Sequence, residues 1–397
     1  MTLETPGLDT LEVDGCRVLV RVDFNVPIDD EGWIADDTRI RASLPTVLAL
    51  LGRGALPVLL CHFGRPKGQV VEALRVDPIG RRLRELLDVP VRKLDESIGP
   101  AVRAAVAEAP PGTVVLLENV RFHPGETKGD LELARRYAEL GEAFVNDAFG
   151  ASHRDHASVS GIARVLPSAA GLLLQRELEA FDRVLNAPER PLVAILGGAK
   201  VSDKLQVVQS LIERVDALLI GGGMAYTFLE ARGAAIGNSL VEREQLELCR
   251  AALEKARERG VELLLPVDHV VAERFAADAR ARVVEGDIPA GTMGLDIGPR
   301  TRELYAGAVR AARTVVWNGP MGVFEMQPFR AGTEAVGRAL AECPGYTVVG
   351  GGDSVAAIKL LGLEASVGHV STGGGAALEL LEGKELPGIA ALGSVAS

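Results

Sequence analysis

Apolar residues fall in short dense runs, separated by longer stretches in which they recur every three to four positions. Four runs lie in the first part of the chain: 17–22 (RVLVRV), 57–61 (PVLLC), 113–118 (TVVLLE) and 143–147 (AFVND). A second series follows at 191–196 (PLVAIL), 216–220 (DALLI), 261–265 (VELLL), 314–317 (TVVW), 346–350 (YTVVG) and 367–370 (VGHV). Short, β-branched and apolar throughout, they predict buried strands. The periodic stretches between them predict helices, among them 129–140, 202–214, 240–259, 301–312 and 353–361. Strands apolar on both faces and alternating with helices predict an α/β fold, with parallel sheets covered on either side.

Two series of strands predict two such sheets, because one core rarely grows much beyond ~250 residues and this chain has 397. The stretch 171–187 (GLLLQRELEAFDRVLNA) reads as a single helix between them, ending before Pro188. The expected domains are therefore 1–170 and 188–382. The tail 383–397 is too short to be a domain and packs back on one of them.

Composition narrows the partners. A net charge of −11 disfavours nucleic acid and anionic membranes. No apolar run reaches the ~18 residues needed to cross a bilayer. The opening MTLETPGLDT lacks the basic start of a secretory signal. The four cysteines, Cys16, Cys61, Cys249 and Cys343, are scattered without a C-x-x-C. Together these features predict a cytoplasmic protein without a disulfide framework or zinc cluster.

In open α/β sheets ligands bind beyond the carboxyl ends of the strands, so the residues after each strand carry the chemistry. In the first half those exits read DFNVP, HFGRP, NVRFHPGE and AFGASHRDHAS. They bring Arg65, Arg121 and Arg154 together with His62, His123, His153 and His156, and Arg39 begins the helix after the first loop. Guanidinium forks bind carboxylate or phosphate through paired hydrogen bonds. A set of them at one sheet edge predicts a pocket for a small, multiply charged anion. The histidines are placed equally well to contact a ligand or to cap loops, and Asp23 and Asn25 either to brace the first loop or to touch ligand hydroxyls.

In the second half glycine takes over. The exits read GGAKVSDK, GGGMAYTF, NGPMGVFE, GGDS and STGGGAALELLEG. Glycine allows close approach of the backbone, and a glycine loop opening a helix offers free N–H groups to a phosphate. None of the three G-G-G stretches completes G-x-G-x-x-G, because Tyr226, Val355 and Leu378 stand at the last position. This argues against a dehydrogenase of the usual dinucleotide-binding type, while five glycine-bearing exits in one half favour a nucleotide site. Lys200 and Lys204 suit phosphate oxygens, the more so in a chain with 35 arginines and only eight lysines. Asp353 is suited either to Mg²⁺, which takes one or two carboxylates plus substrate phosphates, or to a plain helix cap. Glu325 suits ribose hydroxyls.

RVDFNVP, GRP, ENVRFHPGE, NDAFG, GGAKVSDK, GGGMAYTF, VWNGPMGVFE, GGGDS and the STGGGA…LELLEGKELPG segment, in this order from residue 21 to 388, resemble the phosphoglycerate kinase family. The resemblance implies two Rossmann-like domains joined by a hinge helix (171–187), with the C-terminal tail returning to the first domain. It implies reversible phosphoryl transfer between 1,3-bisphosphoglycerate and ADP, giving 3-phosphoglycerate and MgATP, by a monomer. Asp23, Asn25, Arg39, His62, Arg65, Arg121 and Arg154 match the family's triose-binding positions. Lys200, Lys204, Gly294, Asn318, Glu325 and the run Gly351, Gly352, Asp353 and Ser354 match its nucleotide positions. Cys61, Phe63 and Thr292 depart from its usual residues, the last near the expected base site.

The resemblance and the charges together imply a mechanism without a general base. A carboxylate acceptor, with a pKa near ~3.5, is already ionised at neutral pH. The remaining task is to neutralise the transferring group, which falls to Arg39 from the first half and Lys200 from the second, assisted by Mg²⁺. Two other classes share the two-lobed α/β outline: an NAD-dependent dehydrogenase, which lacks its fingerprint here, and a non-catalytic sugar-phosphate binding protein, which would not need Lys200, Lys204 and Asp353.

Overall fold

The computed structural model describes residues 3–395. The chain forms two compact units, one of residues up to Glu179 together with those from Glu385 onward, the other spanning Ala180–Lys384. The boundary falls inside the helix Leu172–Leu185.

The first unit is built on β1 (Arg17–Val22), β2 (Leu56–Leu60), β3 (Val91–Lys93), β4 (Val114–Leu116), β5 (Ala143–Asp147) and β6 (Ser168–Ala170). They form one sheet in the order β3-β4-β2-β1-β5-β6, parallel throughout. Both faces of the central strands are buried, and on one of them Val18, Val20, Val22, Leu59, Leu116 and Val145 pack into a core with Ile40, Val47 and Leu50 of the helix Thr38–Gly52. The tail belongs to this unit. Asn146 Nδ2 donates to the Gly388 carbonyl at 2.9 Å, and Gly388 N donates to the Ser152 carbonyl at 2.8 Å.

The second unit carries β7 (Leu192–Leu196), β8 (Ala217–Ile220), β9 (Glu262–Leu264), β10 (Asp268–Ala272), β11 (Arg282–Glu285), β12 (Met293–Ile297), β13 (Thr314–Asn318), β14 (Tyr346–Gly350) and β15 (His369–Val370). Six of them make a second parallel sheet in the order β15-β14-β13-β7-β8-β9. Trp317, Tyr305 and Ile195 are wholly buried in its core. The fold is α/β with two parallel sheets, as the apolar runs predict, but the first has six strands rather than four, β3 and β6 being additional.

The other three strands form a small antiparallel sheet, β11-β10-β12, which the sequence pattern does not reveal. Its central strand buries Asp268 and His269 beside Val270 and Val271. Asp268 is satisfied locally, accepting from Thr301 N at 2.8 Å, Thr301 Oγ1 at 2.6 Å and Arg300 N at 2.9 Å. Polar residues inside a strand erase the apolar run by which it would be recognised.

Candidate active site

Strand order explains why the first-unit arginines meet. The neighbours β4, β2, β1 and β5 run parallel and in register, so their exits emerge side by side. Arg65, Arg121, Arg154 and His156 line one cavity of about 620 Å³ there. Lys67 and Lys128 line it too, although their spacing gave no sign of it. Scarcity was the available signal, since these are two of only eight lysines in the chain.

Arg39 and Arg121 are tied down by backbone or by an acid. Arg39 donates to Asp23 Oδ2 at 3.2 Å and to the Asn25 carbonyl at 3.1 Å. Asn25 Oδ1 accepts from Gly64 N at 2.9 Å, fixing the first loop to the second. Arg121 donates to the Gly64 carbonyl at 2.7 Å, and its buried Nε has no partner. Arg154 rests against His153 at 3.2 Å. Asp23 keeps one buried oxygen, Oδ1, without a partner. Arg65 stands exposed at the rim.

Burial and the crowding of like charge shift these groups together. Burial and the neighbouring Arg154, Arg21 and Arg65 push Arg121 down to about 10, although Glu126 pulls the other way. Burial lowers Arg154 as well; Asp23 opposes this, and Arg21, Arg65 and Arg39 reinforce it. Burial, then Arg21, Arg121 and Arg154, push His156 down to about 4 and hold His62 well below the ordinary imidazole range. The histidines are neutral and the arginines repel one another. A bound anion relieves the repulsion.

In the second unit the neighbouring exits of β14, β13, β7 and β8 are glycine loops that bond chiefly to each other. Gly197 N donates to the Asn318 carbonyl at 3.0 Å, Gly198 N to Pro320 at 3.1 Å, Gly222 N to Met321 at 3.0 Å and Met224 N to Gly198 at 3.0 Å. A Cβ on Gly197 would stand 2.0 Å from the Pro320 oxygen, so glycine is required there by loop packing itself. Gly351, at φ 89°, turns β14 into the helix Gly352–Leu360. Gly352 has open space where a side chain would be, and the position of a Cβ on Gly374, which opens the helix Gly374–Leu381, is only 3.7 Å from Gly352 N. Two helix N-termini therefore converge, a concentration of free N–H groups suited to phosphate.

The two lysines of the first loop differ. Lys200 is exposed. Lys204 lies beneath the loop, donating to the Gly197 carbonyl at 2.6 Å and the Asn318 carbonyl at 2.9 Å. Burial pushes Lys204 down to about 8, against the pull of Asp353 and Asp203. Asp353 is exposed in the first turn of its helix, with Gly351 rather than Asp353 as the cap. Ser354 is buried, its hydroxyl accepting from Gly319 N at 2.5 Å. Asn318 is buried with its Nδ2 unpartnered, and Glu325 is exposed. Gly294 lies elsewhere in the topology, on β12 of the antiparallel sheet, where its N–H donates to Ser239 Oγ at 2.9 Å. Among the described residues no group of three His, Cys, Asp or Glu side chains is positioned to hold a metal unaided, and no helix is long and apolar enough to cross a membrane.

Known proteins give the same outline. The family model described as phosphoglycerate kinase matches residues 8–384. A phosphoglycerate kinase of Moorella thermoacetica is 57% identical over 386 residues, covering 97% of this chain and 98% of the relative. The solved phosphoglycerate kinase structure from Coxiella burnetii superposes with a TM-score of 0.88 at 41% identity, covering 98% of each chain. That from Pyrococcus horikoshii OT3 does so at 0.84 and 34%, covering 97% of this chain and 98% of the other. With an arginine-lined cavity on one sheet, glycine loops on the other and relatives matched from end to end, the chain belongs to the phosphoglycerate kinase family.

Proposed function

We propose a division of labour for the reaction this chain catalyses, the reversible transfer of a phosphoryl group between 1,3-bisphosphoglycerate and ADP to give 3-phosphoglycerate and ATP. Asp23, Asn25, Arg39, His62, Arg65, Arg121 and Arg154 of the first unit bind the triose. Lys200, Lys204, Gly294, Asn318, Glu325 and Gly351 to Ser354 of the second bind the nucleotide. The observation that carries this reading is the convergence of Arg65, Arg121 and Arg154 on one cavity of about 620 Å³, within electrostatic reach of Arg39. Such a concentration of mutually repelling guanidinium groups is stabilised by a multiply charged anion.

The chemistry asks for neutralisation rather than proton transfer. The acceptor carboxylate is ionised at neutral pH, and charge spreads over the transferring oxygens as the bond to the donor breaks. Arg39 and Lys200 supply positive charge to that group from the two units. Lys204, with two N–H groups committed to carbonyls, has one left for a phosphate oxygen. Mg²⁺ fits the single exposed carboxylate of Asp353, because this ion is satisfied by one protein carboxylate with substrate phosphates and water; when bound it neutralises phosphate charge. Since triose and nucleotide bind to different units, transfer requires them to be brought together, with the helix Leu172–Leu185 as the hinge and residues 1–170 and 188–382 as the moving domains. Closure also excludes the water that would hydrolyse an acyl phosphate. A monomer in the cytoplasm suffices for all of this.

A coupled assay with 3-phosphoglycerate, MgATP and an NADH-linked dehydrogenase acting on the acyl phosphate tests the reading. NADH oxidation that needs all of these components is expected. Binding of either ligand without turnover would overturn it.

A further inference from the structure

Beneath the first cavity lies a buried charged chain to which the reaction gives no part. Arg21, on the central strand β1, is 1% exposed, and Glu126 is wholly buried. Ser158 links them: its hydroxyl donates to Glu126 Oε1 at 2.6 Å and accepts from Arg21 Nε at 2.9 Å, while its N–H donates to Glu126 Oε2 at 3.0 Å. The rest of the Arg21 fork is spent on the Val22 and Leu60 carbonyls and on His62 Nδ1, which lies 3.0 Å from NH2. A guanidinium offers five donors and no acceptor. In that contact Nδ1 can only accept, so the single ring proton of a neutral His62 is carried on Nε2. Among the described residues no group takes that proton.

We infer that Arg21 is a positioning residue, held by Ser158 and Glu126, that locks His62 as a neutral Nε2–H donor toward an acceptor oxygen of the triose. The inference rests on the reading that His62 binds the triose. An unlocked imidazole would divide its time between two tautomers and present a lone pair to the ligand in one of them. The lock makes the contact selective for carboxylate or phosphate oxygen. It also explains an otherwise costly feature, since burying Arg21 and Glu126 with only a serine between them is weak support for stability by itself.

The test has two arms. In the wild-type protein without ligand, long-range proton–nitrogen NMR of labelled histidine should show His62 with an unprotonated Nδ1 and a protonated Nε2. A proton on Nδ1, or two tautomers in exchange, overturns the inference without any variant having to fold. In kinetics, His62→Ala and Arg21→Gln should each raise KM for 3-phosphoglycerate by about 10-fold, the worth of one hydrogen bond to a charged group, and leave KM for MgATP in place. The double variant should lose no more than the worse single one, because Arg21 acts through His62. Multiplying losses would overturn the inference. A locked tautomer with an unchanged KM in His62→Ala would instead sink the assignment of His62 to the triose, and the positioning role with it.

Discussion

The two units offer a multiply charged anion opposite materials. The first gathers buried side-chain charges: burial, reinforced by neighbouring cations, pushes Arg121 and Arg154 down and lowers four histidines, His62, His123, His153 and His156. The second relies on backbone: glycine exits that knit together, converging helix N-termini, and a lysine buried against carbonyls. The difference teaches where stability and function compete. A cationic cluster is a strain that the ligand relieves, whereas a glycine loop is itself part of the packing.

The largest expected effect is on turnover. Lys200→Ala should lower kcat by roughly 10²–10³, the loss seen when one donor to developing charge is removed, while the Kd for ATP changes only a few-fold; stopped-flow and equilibrium titration separate the two. Next comes packing. Gly197→Ala should destabilise the second unit by about 2–3 kcal/mol, because the new Cβ meets the backbone oxygens of Pro320 and Gly319, as read by denaturant unfolding. Acid then separates the units. A histidine whose pKa falls from ~6.5 when unfolded to about 4 when folded gives stability that is full above ~6.5 and lost as pH falls. By pH 5 one such group costs roughly 2 kcal/mol. Asp147 in the first unit and Asp296 in the second, both raised by burial to about 7, act in the opposite sense, stabilising as pH falls toward ~4. With four depressed histidines in the first unit and only His269 in the second, hydrogen exchange between pH 7 and 5 should show the first unit weakening more. The smallest effect is the sharpest contrast. Arg154→Ala should weaken 3-phosphoglycerate binding yet stabilise the free protein by about 0.5–1 kcal/mol, as a charge leaves a repelling group; a loss of thermal stability would break the comparison.

Much of this was legible from residues, for physical reasons that also mark the limits. Strands buried on both faces must be apolar, so β1, β2, β5, β7, β8, β13 and β14 announce themselves. β3 (VRK) and β6 (SAA) lack a dense β-branched apolar run and so leave no pattern to read. The antiparallel sheet hides because Asp268 and His269 are buried among local partners. Charged residues after strands were readable as a set, since parallel order places neighbouring exits together. Arg21 was not, because a charge in the run RVLVRV looks like a residue facing solvent, and only tertiary contacts with Ser158 and His62 show it buried. Glycine had two meanings that sequence cannot separate: at Gly197 it avoids a backbone clash, and at Gly352 it leaves open space.

The central claim is that triose and nucleotide are held by different units. Hydrogen exchange with each ligand alone tests it most directly. The account expects 3-phosphoglycerate to protect the segments around 23–25, 62–65, 121 and 154–156, and ADP to protect those around 197–204, 318–325 and 351–354. Protection of the same unit by both ligands would contradict it.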